Sequence, residues 1–343
     1  MKTALTIFTA LVLSILAGCN GAAGEKELVA GEKEWLTVDF QEAQSLRYRF
    51  VCSRDIEVDW GLIKSVSRPG RHKVDKSTES MSMVVAYTPI EVDPYGLTTI
   101  KATCTSVRIN RSPSKGKGRR AAGKDAVKSL SGKTFTFTVN AAGKIEDYSQ
   151  LEQLIQEIGK KAFRPKSQRG KIKEPDMISD FIATQWFLWD SVSSIELEKA
   201  IKGVGVGQSW KSKLPVPNPM VIRRARDVVY ALKEIRPTEN GQLAVIHSSY
   251  SHSPGKSVPR DWPNPYSGSG KFQMSGMFGF LRRYKVLELQ GQGEELFNID
   301  AGRIEQYNQQ YQMKVEAALP MGLGQNPQIT IKQNLTMELL GSQ

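Results

Sequence analysis

Apolar and polar residues alternate with a period of two over much of the chain. Phe135, Phe137 and Val139 are separated by threonines. Tyr307, Gln309, Tyr311, Met313, Val315 and Ala317 share one parity, and Asn308, Gln310, Gln312, Lys314 and Glu316 take the other. Ile329, Ile331, Gln333, Leu335, Met337 and Leu339 alternate in the same way with Thr330, Lys332, Asn334, Thr336 and Glu338. Successive strand side chains point to opposite faces, so the pattern predicts antiparallel strands with one apolar and one wet face. Further strands are expected over 46–60, 79–92, 97–110, 226–236, 242–251 and 278–290.

A helical period replaces the alternation only in the middle. Leu151, Leu154, Ile155, Ile158 and Ala162 predict a helix over 148–163. Pro175 opens a second, with Ile178, Phe181, Ile182, Gln185 and Trp189 on one face. Trp186 and Phe187 make it apolar nearly all round, so these side chains are candidates for the lining of a greasy cavity against the sheet: Ile178, Phe181, Ile182, Trp186 and Trp189. Ser193 to Glu196 has the spacing of a capping box for a short third helix. The expected fold class is α+β, mostly antiparallel β, with one or two curved sheets packed on two or three central helices. Phe137–Tyr148 and Phe297–Tyr307 share a strand–turn pattern, which suggests an internal duplication.

The first residues follow another rule. Lys2 is followed by an uncharged run from Ala4 to Ile15, the layout of a secretory signal. Twelve helical residues cover about 18 Å, well short of a bilayer core of about 30 Å. The run ends in Leu16-Ala17-Gly18-Cys19, which resembles the lipobox of bacterial lipoproteins. That resemblance implies cleavage between Gly18 and Cys19, a diacylglyceryl thioether on Cys19 and acylation of the new amino terminus. Asn20 stands where Asp would favour inner-membrane retention, so outer-membrane sorting is expected. The organisation expected is a signal peptide at 1–18, a lipidated tether at 19–34, a first β-rich half with a helix and basic loops at 35–173, and a helix pair with a second β-rich half at 174–343.

The formal net charge is +12. It is concentrated in 108–128, with eight Lys or Arg against Asp125 alone, and in 160–173, with seven and no acid. Beside an anionic leaflet such clusters attract lipid or lipopolysaccharide, at about 1 kcal/mol per cation. An exported protein has little use for nucleic acid, which is excluded as a partner. Cys52 and Cys104 remain once Cys19 is lipidated. Both lie in strand-like runs, and an exported compartment allows them either a disulfide or two buried thiols.

No pattern carries catalysis. Gly203, Gly205 and Gly207 lack the spacing of a phosphate loop and lead into a strand at Trp210. His247 and His252 are five apart, which on a strand puts them on opposite faces. Ser112 to Lys115 and Ser253 to Lys256 match S-x-x-K only literally, each with proline after the serine. Asp55, Glu57 and Asp59 share one strand face, where solvation is the simpler role. No cofactor or metal is implied.

The segment Gly203–Trp210 with the Phe297–Tyr307 hairpin resembles a family of bacterial envelope proteins frequent in planctomycetes, over residues 130–340. The resemblance implies no activity. The anchor, sheet and helices together also resemble lipoprotein carriers that cup an acyl chain. The function expected is a lipid-anchored, non-enzymatic envelope protein binding a hydrophobic or anionic ligand. A structural adaptor at the membrane surface is the second reading, and an envelope hydrolase the third.

Overall fold

Eleven strands join into one antiparallel sheet, and their length comes from the alternation continuing well past the expected ends. The structure, a computed structural model, describes residues 33–65, 68–112, 126–161, 170–172, 177–218, 224–254, 262–264, 272–274, 281–319 and 325–342. The lipobox with Gly18 and Cys19, the signal and most of the tether lie outside them, as does most of both basic segments.

The strands of the first part are β1 (Lys33–Glu34), β2 (Leu46–Ser65), β3 (Arg68–Val92), β4 (Thr98–Arg111), β5 (Thr134–Val139), β6 (Ile145–Asp147) and β7 (Gly170–Ile172). The second part holds β8 (Val204–Gly205), β9 (Ser209–Pro215), β10 (Ala225–Thr238), β11 (Gly241–His252), β12 (Phe272–Met274), β13 (Arg282–Asn298), β14 (Arg303–Ala318) and β15 (Gln328–Ser342). The helices are α1 (Ser149–Lys161), α2 (Ile178–Phe187), α3 (Asp190–Ser193) and α4 (Leu197–Lys202).

The order across the large sheet is β6-β5-β4-β3-β2-β15-β14-β13-β11-β10-β9. The last strand of the chain, β15, joins the two runs by pairing with β2, from Gln328 opposite Asp59 to Ser342 opposite Leu46. Two short pairs stand apart: β1 with β8, antiparallel, and β7 with β12, parallel. Glu32–Gln343 forms one compact unit.

One face of the sheet is core. Tyr48, Phe50, Met81, Met83, Val85, Ile100, Phe135 and Phe137 are buried on it, as are Tyr307, Met313, Ile329 and Ile331. The helices cover part of this face. Helix α1 buries Leu151, Leu154, Ile155 and Ile158, the periodic positions of the sequence, and its first turn follows Asp147, whose Oδ1 accepts from the Ser149 amide. Helix α2 buries eight of its ten residues.

The α+β expectation is overturned. The chain is mostly antiparallel β in a single sheet; its longest strand has 25 residues and its longest helix 13. The helical period was real but short, whereas β3 begins eleven residues before the expected strand, in a polar stretch with too few apolar positions to mark it. The duplication goes with it. The β5–β6 hairpin is at the sheet edge, with a second arm of three residues; the β13–β14 hairpin is internal, with a second arm of sixteen. What the two turns share is a job. Gly143 and Gly302 both have positive φ, and a Cβ on either would strike the segment after β1, at Val38 and Asp39 respectively. Leu36 and Val38 are buried there.

The disulfide is also corrected. Cys52 and Cys104 are free and buried. They sit on β2 and β4 with β3 between, opposite Met81 and Val85 of that strand. Two strand spacings of about 4.8 Å already exceed the Cα separation of about 7 Å that a disulfide tolerates.

Candidate functional site

Polar residues interrupt the apolar register of the sheet's inner face at a few positions: Arg54 on β2, Gln333 on β15, Gln309 on β14, Ser248 on β11 and Arg226 on β10. All five are buried. An unpaired buried polar group costs roughly 1–3 kcal/mol, so each needs a partner, and the partners define two centres.

The first centre surrounds Arg54. Its Nε donates to Glu79 Oε2 at 2.7 Å and its Nη1 to Asp180 Oδ2 at 2.8 Å. The Gln333 amide donates to the other oxygen of Asp180 at 2.6 Å, and Arg111 Nε lies 3.3 Å from Glu79. Burial by itself lowers the Arg54 pKa, and the two carboxylates more than reverse that, holding it well above its usual value. Asp180 projects from α2, so this centre pins the helix to β2 and β15.

The second centre surrounds Arg226. Its guanidinium lies over three rings, 4.2 Å from Tyr250, 4.7 Å from Phe187 and 5.1 Å from Tyr311. Its Nη2 donates to Gln309 Oε1 at 2.8 Å, while Nε and Nη1 have no hydrogen-bond partner. Tyr307 donates to the same Gln309 oxygen at 3.1 Å, and the hydroxyls of Tyr307, Tyr250 and Ser248 continue the chain at 2.5 Å each. Tyr250 on β11 reaches Tyr307 on β14 across β13 because β13 has no side chain there. A Cβ on Gly293 would lie 2.6 Å from Ser248 Oγ and 2.7 Å from the Tyr250 hydroxyl.

Helix α3 closes this centre. Asp190 accepts from the Tyr230 hydroxyl at 2.7 Å and from Ser212 Oγ at 2.9 Å; Ser191 Oγ donates to Glu295 at 2.5 Å, and its carbonyl accepts from Trp210 Nε1 at 2.7 Å. Burial pushes the Glu295 carboxyl up to about 8, against the bond from Ser191. Burial likewise raises Asp190 to about 6, against its bonds from Tyr230 and Ser212. Glu295 is thus protonated at neutral pH, and no carboxylate forms an ion pair with Arg226 among the described residues.

On the wet face above the second centre lies a trough of about 620 Å³. Its floor is two adjacent ladders across β10, β11, β13, β14 and β15. One runs Val229, Ser249, Gln292, Gln310, Asn334; the other Ala231, His247, Glu294, Asn308, Thr336. Five strands at about 4.8 Å spacing make the ladders about 19 Å long. Four carboxamides and two hydroxyls dominate. The charges are Lys233 at the rim and Glu294, whose carboxylate is 3.1 Å from His247 Nε2. Gly293, Ser248 and Gln309 join trough to buried network, since all three border the trough as well. A second opening, of about 360 Å³, is bordered by Arg54, Glu79 and Arg111 of the first centre.

The structure packs the expected cavity residues against one another and against the sheet. Ile178, Phe181, Ile182 and Trp189 are buried in the core, and the half-buried Trp186 packs on it. Trp189 meets Phe40, Tyr87 and Phe137; Trp186 meets Tyr148; Phe181 meets Phe135. Neither opening touches them. The Asp55–Glu57–Asp59 face is solvated, with Lys76 on Glu57 and His72 on Asp59. Among the described residues no three His, Cys, Asp or Glu side chains group as a metal site. Arg226, Gln309, Glu295 and the carboxamide ladder were not among the site residues expected from the sequence. A signal for the first two existed: a polar residue in an apolar register.

No family model matches the chain, and no curated protein does. Among solved structures it is similar to a lipovitellin described for its lipid–protein interactions, at 10% identity and TM-score 0.40, over 89% of this chain and 26% of that one. It is also similar to Pseudomonas aeruginosa OccK5 (OpdH), at 8% identity and TM-score 0.22, over 88% of this chain and 99% of that one. The chain thus spans about a quarter of the lipovitellin chain it matches. Likenesses of this size extend to neither activity nor ligand, so function has to be argued from the trough and the two centres beneath the sheet.

Proposed function

We propose that the protein is a lipid-anchored, non-enzymatic adaptor of the bacterial envelope, and that its trough holds a hydroxyl-rich, uncharged ligand, a glycan strand of the envelope. One observation carries the reading: the carboxamide and hydroxyl ladders of Ser249, Gln292, Gln310, Asn334, Asn308 and Thr336 at the floor of an open trough. A carboxamide both donates and accepts, which suits neighbouring hydroxyls. A repeat at the strand spacing suits a polymer laid across the strands. The packed core under α2 supports an adaptor over a carrier of acyl chains. The anchor is the thioether on Cys19, with outer-membrane placement following from Asn20.

Isothermal titration of the purified protein with polysaccharide extracted from envelopes tests this. Asn308→Ala with Gln310→Ala is expected to weaken binding at least tenfold, while Gln312→Ala, one step beyond the trough on the same strand face, leaves it unchanged. Equal affinity for all three proteins, or no uptake of glycan, rejects the trough as the binding surface. Cys19→Ser is expected to abolish metabolic labelling with palmitate.

A further inference from the structure

Exposed apolar side chains are not scattered over this molecule. Among the described residues ten large ones stand out to solvent, and five of them, Ile90, Val92, Tyr95, Leu97 and Leu340, belong to one end of the sheet. That end carries the β3–β4, β5–β6, β10–β11 and β13–β14 turns. The β3–β4 hairpin alone supplies Ile90, Val92, Tyr95 and Leu97, with Tyr95 91% exposed at its tip. Leu340 lies near the end of β15, beside the start of β2. Trp35, Leu197 and Ile201 form a second group, 56%, 76% and 67% exposed, tied together by the bond from Trp35 Nε1 to the Ile201 carbonyl at 3.2 Å.

Folding stability does not explain the second group. Helix α4 buries none of its residues, and Leu197 and Ile201, four apart, point the same way into solvent. The cations beside them are already paired, Lys199 with Glu196 and Lys202 with Glu198. What remains is an apolar knob capped by an indole. Its place in the chain says what it meets. Trp35 follows β1, which pairs with β8 directly after α4, so the N-terminal segment enters the domain at this knob. Cys19 is sixteen residues before Trp35 in sequence. The chain between them spans at most about 55 Å.

We propose that two apolar groups form a membrane-docking rim: Trp35, Leu197 and Ile201, with Trp35 four residues before the point where Asp39 meets the β13–β14 turn, and Tyr95 with Leu97 at the β3–β4 turn enter the headgroup layer of the bilayer that holds the lipid on Cys19. Trp and Tyr favour that layer because a polar edge and an apolar body are both accommodated there. With its lysines neutralised by glutamates, the Trp35 knob docks through apolar area, so anionic lipid is not required. The inference rests on the anchor.

The test uses the full chain as matured in cells, reconstituted in phosphatidylcholine vesicles, with an environment-sensitive thiol dye at Tyr95→Cys, at Ile201→Cys and, as control, at Ser249→Cys. The native Cys52 and Cys104 are buried and do not compete. Dyes at 95 and 201 are expected to become at least threefold less accessible to aqueous iodide on vesicles than in detergent, and the dye at 249 to stay unchanged. A chain that carries lipid by mass spectrometry and floats with the vesicles, but leaves both rim dyes as open as the control, overturns the docking alone. A chain whose Cys19 is unmodified overturns the anchor and the docking together. Rim dyes already protected in the detergent-solubilised protein overturn the docking in favour of a second copy or a segment of the chain itself as cover.

Discussion

Arg54 and Arg226 set the same problem, a guanidinium on the inner face of a sheet with a helix above it, and the chain solves it in two ways. Arg54 has Asp180 and Glu79 in direct contact and its charge is answered by charge. Arg226 has rings on three sides, one neutral amide and two idle nitrogens, while the carboxyls of Asp190 and Glu295 bond to hydroxyls. The first arrangement is a rivet: remove one part and a bare buried charge remains. The second is a cushion under the glycine gap in β13, tolerant of change and adjoining the trough. Burial alone therefore does not tell a structural polar centre from one that serves a surface.

The contrast can be broken experimentally. Asp180→Ala leaves Arg54 with one carboxylate fewer inside the core and is expected to cost about 3–5 kcal/mol in urea unfolding. A cost under about 1 kcal/mol would make the two centres alike.

Glu295 gives a pH signature. Its folded pKa of about 8 exceeds the ordinary 4.5, so the folded state keeps a proton that the unfolded state has lost. Stability is expected to fall as pH rises from 4.5 to 8, by at most about 1.4 kcal/mol per unit and on the order of a few kcal/mol in all, and then to level off. Asp190 adds to the fall between 3.8 and about 6. Glu295→Gln is expected to flatten the upper part of the profile; an unchanged slope above pH 6 would mean the carboxyl is hydrated.

Gly293→Ala puts a methyl against Ser248 and Tyr250 and is expected to lose about 1–3 kcal/mol, together with some trough affinity, because Ser248 and Gln309 border both. Arg226→Met is the mildest. It replaces an unpaired cation by apolar volume among rings and is expected to shift stability by no more than about 1 kcal/mol in either direction. A loss like that of Asp180→Ala would show that the rings hold Arg226 as firmly as an ion pair.

Local periodicity was readable and long-range pairing was not. On β14 every residue assigned to the apolar face, Tyr307 to Ala317, is buried, and on β15 only Leu339 is less than fully so. Gln309 and Gln333 stand in that same buried parity without having been singled out as exceptions, and Arg54 stands in the buried parity of β2 between Cys52 and Ile56. What no local pattern could supply was adjacency. Gln292, Gln310 and Asn334 are unremarkable outward residues of three strands, and they become one ladder only when β13, β14 and β15 align. The helices misled through their weight: α2 is so apolar that it suggested a lined cavity, whereas the sheet packs tightly on it. Two cysteines in strand-like runs left a bridge and two buried thiols both open, because a strand expected between them in sequence does not say that it lies between them in the sheet.

The union of β2 with β15 has a kinetic price. Leu46 waits for Ser342, and until β15 arrives the edge strand β2 presents an unsatisfied ladder of amides and carbonyls. Chain closure of that span is slow by nature, and growth from the amino terminus makes the delay unavoidable. Joining of the two runs is therefore decided by β15, and a chain without that strand would offer the open edge of β2 to whatever strand came first.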